Sequence, residues 1–149
     1  MTTGGWILLV SVLLAAGFGI YRVSRDGRFR GTPPVAGVDD PSPAQAPDTF
    51  EPLVTDDRLG ERATLLQFSS AFCAPCRATR RVLADVATAV PGVTHVELDA
   101  EHHLDLVRRV GVTRTPTTLV LDAAGREVTR ASGAPRKEQV FAALAGIEA

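Results

Sequence analysis

The chain has 149 residues, 45% of them hydrophobic, and its 16 Lys and Arg nearly balance 17 Asp and Glu for a net charge of -1. That is enough sequence for one globular domain with some left over, and a near-neutral balance without a basic stripe argues against a nucleic-acid partner. Two cysteines in all exclude a scaffold held by several disulfides.

The first element is apolar. Trp6 to Tyr21 carries no charge, and the uncharged stretch extends from Thr2 to Tyr21, about the 20 helical residues needed to cross a bilayer. Trp6 and Tyr21 bracket the run as interfacial aromatics do, and Arg22, Arg25, Arg28 and Arg30 follow it against the single Asp26. No Lys or Arg precedes Trp6, whereas a cleaved signal peptide carries a basic leader, so residues 1–23 are expected to be an uncleaved single-pass anchor in the cell membrane. Lys and Arg beside a span tend to stay on the cytoplasmic side, which predicts a cytosolic rather than extracytoplasmic C-terminal domain. Residues 24–49 comprise this arginine-rich stretch and a linker. Gly31 to Thr49 holds five of the ten prolines, and in polyproline geometry it could lift a domain up to roughly 60 Å from the membrane.

Residues 50–149 read as one α/β domain. Thr64 to Ser69 is a short buried strand, Arg77 to Val90 has the periodicity of an amphipathic helix, and Val93 to Leu98 alternates as a second strand. A short helix over Leu104–Val110, a strand over Thr117–Leu121, a turn at Ala123–Arg126, a hairpin partner over Glu127–Ala131 and a helix over Arg136–Ile147 complete the order.

Both cysteines lie in Cys73-Ala74-Pro75-Cys76, at the junction of the first strand and the first helix of this domain. Two sulfurs at this spacing can close a small disulfide and reopen it, as thiol exchange requires. Pro75 suits the first turn of a helix because its missing N–H would have had no partner there, and this places Cys73 at the helix N-terminus. Unpaired amides and the positive end of the helix dipole favour a thiolate at that point, with Arg77, Arg80 and Arg81 adding positive charge. Cys73 is therefore the expected nucleophile and Cys76 the resolving thiol.

Phe72-Cys73-Ala74-Pro75-Cys76-Arg77 after a strand, Val112-Thr113-Arg114-Thr115-Pro116-Thr117 further on, and a strand-turn-strand around Gly125 followed by Gly133 and a last helix together resemble the thioredoxin-like family from about Leu59 to Ile147. The stretch Leu59 to Phe68 also looks like the entry strand of its membrane-anchored thiol-disulfide branch. The resemblance implies a three-layer sandwich around a central mixed β-sheet, here preceded by one transmembrane helix. It implies a protein-disulfide oxidoreductase, a reductase if cytosolic, that needs no cofactor, acts on protein disulfides and is recharged by a reductase or other redox partner protein. Thr115-Pro116 would be the cis peptide facing the cysteines, with Phe72, Ala74, Pro75, Thr115 and Pro116 binding substrate. The chain departs from the family pattern twice. Phe72 replaces the tryptophan before the first cysteine, and Gln67, which cannot take a proton at neutral pH, replaces the buried aspartate beneath the second. Glu97, where the family has a lysine, becomes a candidate proton acceptor for Cys76.

Two other classes compete. Cys73, Cys76, His95, His102 and His103 are suitable ligands for zinc or copper(I), as in a metal-binding or metallochaperone module, but the histidines lie far from the cysteines in sequence and no second CxxC occurs, so no metal site is expected. A non-catalytic interaction domain of the same fold would be expected to have lost a cysteine, and both are present.

Overall fold

The computed structural model describes residues 3–30 and 59–147; the proline-rich linker expected over residues 31–49 lies outside the described residues. Helix α1 (Thr3–Arg25) is exposed from Gly4 to Arg22, a 19-residue stretch of mean hydropathy 1.9 with no part buried against the rest of the protein, and is long and apolar enough to cross a membrane. After β1 (Phe29–Arg30), the domain runs β2 (Ala63–Ser69), α2 (Ala74–Ala89), β3 (Val93–Asp99), α3 (Leu104–Val110), β4 (Thr117–Asp122), β5 (Glu127–Ser132) and α4 (Lys137–Ala145).

The strands lie in the order β1-β5-β4-β2-β3, with β2 parallel to β3 and every other pair antiparallel, which is the expected mixed sheet. The parallel pair is the one joined by a helix, as a parallel connection requires, and β4 and β5 form the hairpin read from the turn around Gly125. Every residue of β2 is buried, as befits a central strand covered on both faces.

Alternation along β2 divides the core into two layers. Leu66 and Phe68 point to one face, where they pack with Leu106 and Val110 of α3 and Leu119 of β4. Ala63 and Leu65 point to the other, against Leu83 and Val86 of α2 and Val140 and Leu144 of α4. Gln67 continues this second row and is fully buried. A buried amide with no partner would cost more than its hydrogen bonds return, so its neighbours matter to the site.

Phe29 and Arg30, which the sequence reading places in the juxtamembrane stretch, add a short fifth strand to the edge of the sheet, pairing with Ala131 and Arg130. Phe29 also packs on the layer beneath α2 and α4. Composition could not have indicated this, because a two-residue strand has no periodicity to detect.

Candidate active site

Cys73 caps α2. Its sulfur accepts the Cys76 N–H (3.1 Å), Ala74 and Pro75 form the first turn, and the Arg77 N–H donates to the Cys73 carbonyl (3.3 Å). The two sulfurs are joined as a disulfide, with Cα atoms 5.2 Å apart. Cys73 is partly exposed and Cys76 almost completely buried. An attacking reagent therefore meets Cys73 first, with Cys76 behind it. Phe72, Ala74 and Pro75, the chain neighbours of the two cysteines, are all exposed, Phe72 with its full surface in solvent.

A cleft of about 320 Å³ opens beside the disulfide, lined by Ser69, Ser70, Cys73, Cys76, Arg77, Arg80 and Glu97 among others. Across its rim, Ser70 and Thr115 share a hydrogen bond between hydroxyls (3.1 Å), bringing the loop before β4 next to the turn that carries Cys73. The Thr115–Pro116 peptide is cis, as the resemblance implies. Pro116 is buried, and its carbonyl accepts the Gly133 N–H (2.8 Å). The Ser70–Thr115 bond sets the loop of residues 115–116 beside the turn that leads into residues 72–76.

Glu97 reaches the same cleft from β3 but is already engaged. It pairs with Arg80 (2.6 Å) and accepts from the Ser69 hydroxyl (2.6 Å). Burial pushes its carboxyl pKa up, but the hydrogen bonds from Arg80 and Ser69, with the charges of Arg80 and His95, outweigh burial and hold it below the ordinary value. Glu97 is therefore ionised at neutral pH and able to accept a proton, although the partners that keep it charged also make it a weak base.

Gln67, which the resemblance sets in place of the family's aspartate, lies beside Cys76. Its amide N–H donates to the Cys76 carbonyl (3.0 Å), and its oxygen lies 3.2 Å from His95 Nε2. With the amide so oriented, Nε2 carries the proton and Nδ1 is the basic nitrogen. Burial lowers the His95 pKa, nearby Arg80 lowers it further, and the opposing pull of Glu97 is smaller than the effect of burial. The imidazole is thus kept neutral one side chain away from the backbone of Cys76. The sequence reading had weighed His95 only as a metal ligand. Its two-residue spacing from Glu97, on a strand alongside the one bearing Gln67, was the available signal. Among the described residues, the buried Thr79 and Thr118 hydroxyls have no hydrogen-bond partner. Thr118 sits directly opposite Gln67 in the β2–β4 ladder.

Among the described residues no three His, Cys, Asp or Glu side chains are arranged to hold a metal ion. His102 instead approaches Asp99 (3.3 Å) near the start of α3.

The thioredoxin family model matches residues 43–146. Among curated proteins, the chain is 34% identical over 89 residues to a thioredoxin of Alicyclobacillus acidocaldarius, covering 59% of this chain and 84% of that protein. It is 31% identical over 84 residues to a thioredoxin of Chlamydia muridarum, covering 56% and 81%. Among solved structures, Fasciola hepatica thioredoxin superposes with a TM-score of 0.55 at 24% identity, over 66% of this chain and 91% of that one. With a disulfide formed by a CxxC at a helix N-terminus, this fold and these matches, the chain belongs to the thioredoxin family of thiol-disulfide oxidoreductases.

Proposed function

We propose that the protein is a single-pass, membrane-anchored member of this family that reduces protein disulfides on the cytosolic side of the cell membrane. Residues 1–23 form the anchor and residues 50–149 the catalytic domain, with 24–49 between them. In the reduced protein, the Cys73 thiolate attacks one sulfur of a substrate disulfide, forming a mixed disulfide and releasing the other substrate sulfur as a thiolate. Cys76 then loses its proton and attacks the Cys73 sulfur. This forms the Cys73–Cys76 bond, expels the second substrate sulfur and leaves the substrate reduced by two electrons. A partner reductase then supplies two electrons to the Cys73–Cys76 disulfide and restores the dithiol.

The single observation that carries this reading is the asymmetry of the pair: a partly exposed Cys73 at the N-cap of α2 and a buried Cys76 behind it. The amides of the first helical turn stabilise a thiolate on the exposed sulfur, and burial keeps the second thiol from competing for substrate. Phe72, Ala74, Pro75, Thr115 and Pro116 are the proposed substrate surface, with the extended substrate chain lying between the CxxC turn and the Thr115 loop. Glu97, ionised and in the same cleft as both sulfurs, is the proposed acceptor for the Cys76 proton.

Trapping tests the roles. The Cys76→Ser protein should accumulate a stable mixed disulfide through Cys73, seen by mass spectrometry after incubation with a disulfide-bonded protein, whereas Cys73→Ser should form none. Mixed disulfide on Cys76 in the Cys73→Ser protein, at a rate matching the reverse variant, would overturn the assignment.

A further inference from the structure

The end of the apolar helix is joined to the domain at the active-site end of the sheet. The Asp26 N–H donates to the Arg22 carbonyl (3.1 Å), continuing the last turn of α1, and the Gly27 N–H then donates to the Ser132 carbonyl at the end of β5 (3.1 Å). Asp26 Oδ1 accepts from the Arg114 guanidinium (2.5 Å), which also donates to the Ser132 carbonyl. The two surfaces fit through a pair of glycines. Gly27 has φ +70°, and a Cβ there would lie 2.2 Å from the Ala134 carbonyl oxygen; Gly133 has φ +102°, and a Cβ there would lie 2.2 Å from Asp26 Oδ1. Only glycine takes such a conformation at little cost and leaves room for so close an approach.

Ser132 pairs with Thr117, and Thr117 with Phe68, so the ends of β5, β4 and β2 that meet here are the ends leading to Gly133, Pro116 and the CxxC turn. Arg114 immediately precedes Thr115, whose hydroxyl bonds Ser70 on the rim of the cysteine cleft. The anchor thus reaches the domain on the loops that form the substrate surface. The distance from span to sheet is set by the short Asp26–Arg28 link, because Phe29 is already paired with Ala131, and not by the length of the proline-rich stretch.

We infer that the Cys73–Cys76 pair faces the membrane and that its substrate is a disulfide in the membrane-proximal part of another membrane protein. This rests on the proposed membrane anchoring and on the exchange chemistry set out above, and it specifies which disulfides the site meets. A link of so few residues cannot carry the active-site end far from the bilayer, since each residue spans at most about 3.6 Å. A disulfide held close to the surface is therefore presented to Cys73 at high effective concentration, while one far above it is not.

The test uses the full chain reconstituted in phosphatidylcholine vesicles, reduced, with one fluorogenic disulfide peptide offered free in solution or coupled to lipid through a linker of roughly 10 Å or roughly 60 Å. The short-linker peptide should react about tenfold faster than the long-linker one, following their effective concentrations. Inserting a flexible Gly-Ser segment between Arg25 and Asp26 should abolish that preference and leave the rate with the free peptide unchanged. A long-linker peptide reacting faster than the short-linker one, or a preference that survives the insertion, would overturn the inference. Failure of the protein to float with the vesicles would overturn the anchor and this inference with it, and failure to reduce the free peptide would overturn the exchange reading. The outcomes are therefore separable.

Discussion

At the scale of single residues, the groups beneath Cys76 are polar side chains that the fold brings together. Gln67 links the Cys76 backbone to His95, and Glu97, two residues further along β3, links Ser69 to Arg80. His95 and Glu97 both have lowered pKa values, and both act on stability in the same direction. The native state holds His95 neutral more strongly than the unfolded chain does, so its contribution is complete above the unfolded value near 6.5 and is lost as pH falls below it. Glu97 follows, with a contribution complete above about 4.5 and lost as pH falls through its lower native value. Urea midpoints of the full chain in detergent should therefore decline from pH 7 toward pH 5, and His95→Gln should flatten that decline; an equally steep fall in the variant would remove His95 as the cause. Glu97→Gln addresses catalysis. Because a positioned base typically contributes about 10²- to 10⁴-fold, resolution of a preformed Cys73 mixed disulfide should slow at least tenfold at neutral pH and recover as pH rises. An unchanged pH–rate profile would remove Glu97 as the acceptor. The Arg80–Glu97 pair itself is largely solvent-exposed on the arginine side, and its loss should cost at most about 1 kcal/mol of stability.

At the scale of elements, nearly all of the domain was legible. The expected strands and helices from Thr64 to Ile147 are found within a few residues of their predicted ends, because each carries a clear period of two or of 3.6 and is bounded by turn residues. The helix of the CxxC begins at Ala74 with Cys73 as its cap, where Pro75 placed its first turn, and its apolar periodicity runs only from Arg77. What sequence could not reveal is β1. Its docking depends on Gly27, and Gly27→Ala should release it, through both the positive φ and the contact with Ala134. A non-glycine residue in such a conformation costs about 1–3 kcal/mol. Hydrogen exchange should then show faster exchange of the Gly133-side backbone of β5 and of residues 27–30, with β2 and β3 unaffected. Uniform loss of protection across the sheet would mean instead that β1 is integral to global stability.

At the scale of the whole molecule, the apolar helix, docking segment and domain bear on where the site works. Flanking arginines predict that the domain is cytosolic. In intact cells, reduced Cys73 should escape an impermeant maleimide and become labelled only after permeabilisation; labelling without permeabilisation would place the domain outside and turn attention to extracytoplasmic substrates. The sequence by itself determined the apolar span, the order of strands and helices and the redox pair, because each of these is a local matter of composition, periodicity or spacing; that Gln67 stands where the family has an aspartate followed only from the resemblance. Only the tertiary structure decided which groups surround Gln67 and where the apolar helix meets the domain. Gln67, His95 and Glu97 come together through strand register, and Asp26 meets Arg114 and Gly133 across more than half the chain. Such contacts are set by how distant segments pack, and no local pattern in the chain encodes them.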